Sequence, residues 1–151
     1  MRLEFGYGAG VQTVELPEEN LLGVLTANEI RHGLGGEEAV RYALAHPIGA
    51  KPLRESVAPG QKIAIIASDI SRPVPSYEIL PAILDELTAA GCRDDDITVV
   101  FALGSHRHHT EAEKRKLAGN AVFDRVRCED SDPDDCIHLG TTSAGTPVDI
   151  T

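Results

Sequence analysis

The chain has 151 residues, 42 % hydrophobic and 25 % charged, a balance that suits one globular domain able to bury roughly 68–70 % of its unfolded surface. Its formal charge of −10 repels phosphate backbones and no basic stripe offsets it, which argues against nucleic acid as a partner. No apolar run approaches the ~20 residues needed to cross a bilayer, and the N-terminal MRLEFGYGAG lacks the apolar core of a secretory signal, so no membrane partner is expected.

The first 27 residues read as short strands: Leu3 and Phe5 alternate with polar neighbours, Gly-rich GYGAG turns the chain, and Val11, Thr13 and Glu15 continue it. The Gly-Leu-Gly-Gly run at 33–36 breaks the chain before a helix with Val40, Ala43 and Leu44 on one face, ended by His46-Pro47. Residues 62–67, KIAIIA, fit a strand buried on both faces. Residues 77–90 carry a helical stripe of Ile79, Leu80, Ile83, Leu84 and Leu87, with Pro81 near the first turn and Gly91 as the stop. Residues 97–103, ITVVFAL, give a second buried strand, and the strand–helix–strand unit predicts parallel pairing with a right-handed crossover.

Thr110-Glu111-Ala112-Glu113 fits a capping box, with Lys114, Arg115 and Lys116 toward the helix end and Gly119 as its stop. A strand near 124–128, an acidic loop EDSDPDD and a final strand near 147–150 complete the chain, whose end without a terminal helix suggests a missing second domain. The fold class is therefore layered α/β, one domain over residues 1–151 with a mostly parallel central sheet and an N-terminal short-strand segment. Cys92, Cys128 and Cys136, odd in number and without a C-x-x-C pair, read as reduced thiols of a cytoplasmic protein.

Both central strands run into unusual loops, Ser68-Asp69-Ile70-Ser71-Arg72-Pro73-Val74-Pro75 and Gly104-Ser105-His106-Arg107-His108-His109-Thr110. Ligands of open α/β sheets bind beyond the carboxyl ends of the strands, and a right-handed crossover puts both loops on that edge. Arg72 offers a planar fork for a carboxylate, stiffened by Pro73 and Pro75. His106, with an ordinary pKa near ~6.5, suits general base work, and Asp69 suits holding an imidazole in one tautomer or contacting a ligand hydroxyl. Gly104 allows close approach to the backbone, and the N–H groups of the helix after Thr110 are available to an anion.

Blander readings stand beside these. Asp69 and Arg72, three apart, also suit an ion pair or a turn, and Arg107 suits holding the loop as well as touching ligand. His106, His108 and His109 also suit a solvated loop, and no metal site built from this chain alone is expected, because adjacent histidines point apart in extended chain. His32, His46 and His138 have no convincing partners. GYGAG lacks a dinucleotide-binding setting, and no phosphate-binding P-loop motif occurs.

The segments Asp69-Ile70-Ser71-Arg72-Pro73-Val74-Pro75 and Ala102-Leu103-Gly104-Ser105-His106-Arg107 resemble two N-terminal signatures of the lactate-racemase-like family. The likeness extends in order to Ala43-Leu44-Ala45-His46-Pro47-Ile48-Gly49, to Ala90-Gly91 and the acidic turn after it, and to Leu139-Gly140-Thr141 with Gly145-Thr146-Pro147-Val148. The resemblance implies two α/β domains with the active site between them, a 2-hydroxy-acid substrate, and a nickel-pincer nucleotide that takes part in a hydride shuttle in the full-length protein. It implies His106 as the acid/base histidine, Arg72 as the substrate-carboxylate ligand, and Asp69, with Ser68 and Arg107, on the cofactor side. The family's cofactor-tethering lysine, nickel-binding histidine and second acid/base histidine lie beyond the region matched, and where relatives often carry His-Asp this chain has Glu129-Asp130.

The resulting expectation is the N-terminal domain of a 2-hydroxy-acid racemase or epimerase, completed by a C-terminal domain and inactive by itself. The alternatives are a non-catalytic carboxylate- or phosphate-binding module and a metal-dependent hydrolase using His106. Self-association into a homo-oligomer stays open, because an apolar face bared by a missing domain drives it.

Overall fold

Alternating residues and a two-residue turn at Gly8-Ala9 make the first element pair: β1 (Arg2–Tyr7) runs antiparallel to β2 (Gly10–Glu15), with Arg2 opposite Glu15 and Tyr7 opposite Gly10. The computed structural model describes residues 1–30 and 33–151; His32 lies outside the described residues. These divide into two compact units, Met1–Gly33 and Leu34–Thr151. In the first, the strands stop at Glu15. The expected strand character through residue 27 is not found, because Pro17 opens a single 3-10 turn, Glu18–Asn20, and no partner strand follows.

The second unit is built on a parallel three-stranded sheet. After α1 (Gly36–Ala45) and the one-turn α2 (Leu53–Ser56), β3 (Ile63–Ser68) leads through α3 (Ser76–Ala89) to β4 (Ile97–Ala102). The α4 helix (Glu111–Ala118) and the short α5 (Asn120–Phe123) then return the chain to β5 (Arg127–Asp130). The strand order is β3-β4-β5, all parallel, with Ser68 opposite Ala102 and Phe101 opposite Asp130. A separate antiparallel pair, β6 (Ile137–Thr141) and β7 (Pro147–Ile150), closes the chain. No helix is long and apolar enough to cross a membrane among the described residues.

The local signals explain the boundaries. Gly91, at φ +84, ends α3 in a Schellman motif: its N–H reaches the Thr88 carbonyl, and the Cys92 N–H reaches that of Leu87 at 3.0 Å. Thr110 and Glu113 form the expected capping box of α4. Two positions differ from expectation. The third parallel strand begins three residues late, at Arg127, because α5 continues to Phe123 after the Gly119 stop. The β6 strand was not anticipated; its partner β7 was.

The core lies on one face of the sheet. Leu80, Leu84 and Leu87 of α3 pack with Ile97, Val99 and Phe101 of β4, and with Leu117, Ala118 and Val122 from α4 and α5. The expectation that 62–67 is buried on both faces fails. Ile63, Ile65 and Ala67 are half-buried toward the core, whereas Ala64 and Ile66 are exposed. The helices cover only that one face, and β3 is an edge strand; an apolar run is compatible with either arrangement. Cys92 is core as expected, all three thiols are free, and burial pushes the Cys128 thiol up to about 11. His46 is held by the Tyr42 carbonyl, and His138, expected to lack a partner, pairs with Asp149 across β6 and β7 at 2.7 Å.

At the amino end of β4 the buried Asp96 carboxylate takes Arg93 at 3.0 Å and Lys62 at 2.6 Å, and these cations lower its pKa to about 2. A depressed carboxyl pKa favours folding above the unfolded value of roughly 3.9, and that contribution disappears as pH falls through the folded value. The thermal-stability difference between the parent chain and Asp96→Asn should therefore shrink as pH is lowered from about 5 to about 2. A difference that stays constant over that range contradicts the assignment.

Candidate functional site

Parallel pairing of Ser68 with Ala102 brings the next residues of both strands to the same edge. There a cleft of about 410 Å³ is lined by Ser68, Asp69, Arg72, Gly104, Ser105 and His106, floored by Ile66, Ala67, Ala102 and Leu103. The structure thus brings together the expected pair, Arg72 and His106, with Asp69 and Ser68.

Local turns fix each side chain. The Arg72 N–H donates to the Asp69 carbonyl at 3.2 Å, closing a turn over residues 69–72. The Val74 N–H then reaches the Arg72 carbonyl and the Ser76 N–H the Val74 carbonyl, both at 2.8 Å. These are γ-turns centred on Pro73 and Pro75, and Pro75 has the corresponding φ −77, ψ 60. Across the cleft the His106 N–H donates to the Leu103 carbonyl at 3.0 Å. That turn needs φ +57 at residue 104, which a glycine supplies without strain.

The two loops meet in a carboxylate–imidazole pair. Asp69 Oδ2 lies 2.5 Å from His106 Nδ1, and Asp69 Oδ1 accepts the Ser71 hydroxyl at 2.7 Å. The Ser71 hydroxyl is the largest influence holding the Asp69 carboxyl below its ordinary pKa, followed by His106, against burial that pulls the other way. An ionised Asp69 can only accept, so His106 Nδ1 carries a proton, which in the neutral ring leaves the lone pair on Nε2. The His106 side chain is 49 % exposed against 6 % for Asp69: the carboxylate is buried and the imidazole it holds is accessible.

Arg72 is the electrostatic exception. Every other described arginine, Arg2, Arg41, Arg54, Arg93, Arg107, Arg115, Arg125 and Arg127, sits against a carboxylate. Among the described residues Arg72 has no such partner, and the alternative of an Asp69–Arg72 ion pair is not what forms. Asp69 contributes its carbonyl to the turn and its carboxylate to Ser71 and His106.

Arg107 points elsewhere. Its guanidinium grips Glu113 with two bonds, at 2.9 and 2.7 Å, and its Nη1 also donates to the His108 carbonyl. The α4 N-terminus is not an anion site: the Thr110–Glu113 capping box occupies it, and Glu111 and Glu113 make it acidic. His109 is not a solvated loop residue; it is buried against Asp130 at the end of β5. No group of three or more metal-ligating side chains converges among the described residues. Ser71, Ser131 and Asp130 were not anticipated. Ser131 accepts the Leu103 N–H at 3.0 Å and anchors the His106 turn from behind. For His109 a signal existed: it precedes the capping Thr110, a position whose side chain normally turns inward.

The lactate racemase N-terminal domain model matches residues 7–151. The lactate racemase of Thermoanaerobacterium thermosaccharolyticum is 31 % identical over 153 aligned positions, covering 98 % of this chain and 36 % of the relative. That of Lactiplantibacillus plantarum is 29 % identical, covering 95 % of this chain and 35 % of the relative. The solved lactate racemase apoprotein from T. thermosaccharolyticum superposes with a TM-score of 0.77 at 31 % identity, covering 99 % of this chain and 35 % of that one. The chain therefore spans about a third of the length of the relatives it matches, and shares their fold over that third.

If Ser71 holds Asp69 ionised, Ser71→Ala raises the Asp69 carboxyl pKa toward the ordinary value near ~3.9. A carbon-detected NMR titration of the side-chain carboxyl reads the shift. An unchanged midpoint overturns the role given to the hydroxyl.

Proposed function

Because the chain belongs to the lactate racemase N-terminal domain family, we propose that it forms one half of a 2-hydroxy-acid racemase or epimerase active site. The observation that carries this reading is the Arg72 guanidinium, without a carboxylate partner among the described residues, lining one cleft with a carboxylate-oriented imidazole. A 2-hydroxy acid presents the two matching features, a carboxylate and an adjacent hydroxyl.

Arg72 binds the substrate carboxylate through its planar fork. His106 Nε2 takes the hydroxyl proton, and Asp69, hydrogen-bonded at Nδ1, stabilises the imidazolium that results. Loss of the α-hydride from the substrate then gives the 2-keto acid, and its return to either face gives either enantiomer, with His106 handing the proton back. A nickel-pincer nucleotide, when bound, supplies the hydride acceptor. The donor set here fits one flank of such a group: the cleft is open, Ser68 and Asp69 lie along it, and Arg72 lines it without a carboxylate partner among the described residues. Arg107 enters as a positioning residue that ties the His106 loop to α4 through Glu113. The rest of the site belongs to a C-terminal domain of the same cytoplasmic protein, and homo-oligomerisation of the whole is compatible with this arrangement.

A non-catalytic carboxylate-binding module would also use Arg72, but it gives no reason for an oriented imidazole beside it. Full-length protein loaded with its cofactor should racemise lactate or another 2-hydroxy acid, read by chiral chromatography of product. His106→Gln should lower kcat by about 10²–10⁴-fold, the usual worth of a general acid–base. Arg72→Lys should chiefly raise KM, since an ammonium cannot reproduce the bidentate grip. Residues 1–151 alone should give no detectable racemisation, because the groups on the far side of the substrate are missing. Binding of 2-hydroxy acids without turnover by the loaded full-length protein would favour the binding module instead.

A further inference from the structure

We propose that His109 is a positioning residue whose single permitted tautomer locks the Asp69 loop to the end of β5 and thereby sets the Asp69–His106 pair. The ring is nearly inaccessible, 1 % exposed, against an equally enclosed Asp130 at 3 %. Its Nε2 accepts the Ile70 N–H at 3.1 Å, and its Nδ1 lies 2.7 Å from Asp130 Oδ1. A backbone amide can only donate, so Nε2 carries no proton. The one ring proton then sits on Nδ1 and points at a carboxylate that can only accept. The opposite tautomer would set N–H against N–H on one side and a lone pair against a carboxylate on the other.

Everything around the ring supports that orientation. Asp130 Oδ2 also takes the His109 backbone N–H at 2.9 Å and the Lys114 ammonium at 3.3 Å, and His108 Nδ1 lies 3.5 Å away. Burial, the largest influence on Asp130, acts to raise its pKa, but the His109 ring and backbone N–H groups and Lys114 together hold it below the ordinary value. The Phe101 ring packs against the imidazole in a T-shaped arrangement, 5.7 Å between centroids. The ring therefore joins three consecutive strand ends: Ile70 after β3, His109 after β4 and Asp130 at the tip of β5.

His109 does not line the cleft, so it acts only through its neighbours. Ile70 is the residue after Asp69, and fixing its amide fixes the carboxylate that orients His106. The His106 loop is itself held at its start by the Leu103 N–H on Ser131 and at its end by His109 on Asp130, leaving His106 between two anchors. Misplacement of a reacting group by about 1 Å costs on the order of 10²-fold in rate, so such anchoring has a catalytic consequence. That consequence rests on the racemase reading; the tautomer and the loop lock do not.

The test reads imidazole nitrogens in long-range ¹H–¹⁵N spectra of the 151-residue chain at neutral pH, with Ile70 amide exchange measured alongside. The expected result is a His109 ring protonated at Nδ1 and bare at Nε2. His109→Phe keeps the ring shape but removes the acceptor, and should lower Ile70 amide protection about tenfold or more and shift the His106 nitrogens away from their Nδ1–H pattern. His109→Gln restores an acceptor and should recover most of both signals; it also carries the test should the phenylalanine variant not fold. An Nε2-protonated His109 in the parent chain, unchanged Ile70 and His106 signals in the phenylalanine variant, or equal loss in both variants overturns the proposal. Absence of racemisation by the full-length protein would defeat the functional reading while leaving these spectra as they stand.

Discussion

The parallel register of β3 with β4 is the constraint from which the site follows. With Ser68 opposite Ala102, both chains leave the sheet at one edge and in the same direction, so residues 37 positions apart, Asp69 and His106, come within hydrogen-bond distance. An antiparallel pairing would send the two loops to opposite ends. The β5 strand adds a third parallel end, and Asp130 and Ser131 there supply the polar atoms that hold the second loop. The opposite edge is stabilised differently, by Asp96 under Arg93 and Lys62, and takes no part in the cleft. Scaffold and site are thus built from the same strands but at different ends of them.

Charge is distributed to the same effect. A chain with net charge −10 has carboxylates to spare, and every described arginine but one sits against a carboxylate. Among the described residues the exception is Arg72, which lines the cleft; Asp69 in the same cleft is already engaged by Ser71 and His106, and Glu113 by Arg107 and the α4 cap. Acids around the site are thus engaged in orienting imidazoles and a helix terminus.

Much of this could be read from residue order because it is governed by short-range rules. The Thr110–Glu113 cap, the Gly91 stop, the Leu80–Leu84–Leu87 stripe and the strand–helix–strand unit all depend on neighbours within a few positions, and each formed as expected. The loop residues Asp69, Arg72 and His106 could be chosen because strand polarity and crossover handedness assign them an edge. What was not readable depends on how the chain folds back on itself, for the most part through partners distant in the chain. Whether KIAIIA is covered on both faces depends on where the helices pack, and they pack on one. The role of Ser71 depends on the turn that folds its hydroxyl back onto Asp69. His109 looked like one of three loop histidines because its partners, Ile70 and Asp130, lie 39 and 21 residues away. The α4 N-terminus was read as available to an anion although the Thr110–Glu113 cap that occupies it was itself legible.

Titration of ¹⁵N-labelled chain with a 2-hydroxy acid, followed through the Arg72 guanidinium and His106 ring nitrogens together, tests most directly whether these two side chains serve one ligand. The account predicts that both signals move along a common saturation curve, while the Arg107 guanidinium, engaged by Glu113, stays in place. Movement of one without the other, or perturbation confined to residues away from the cleft, would contradict it.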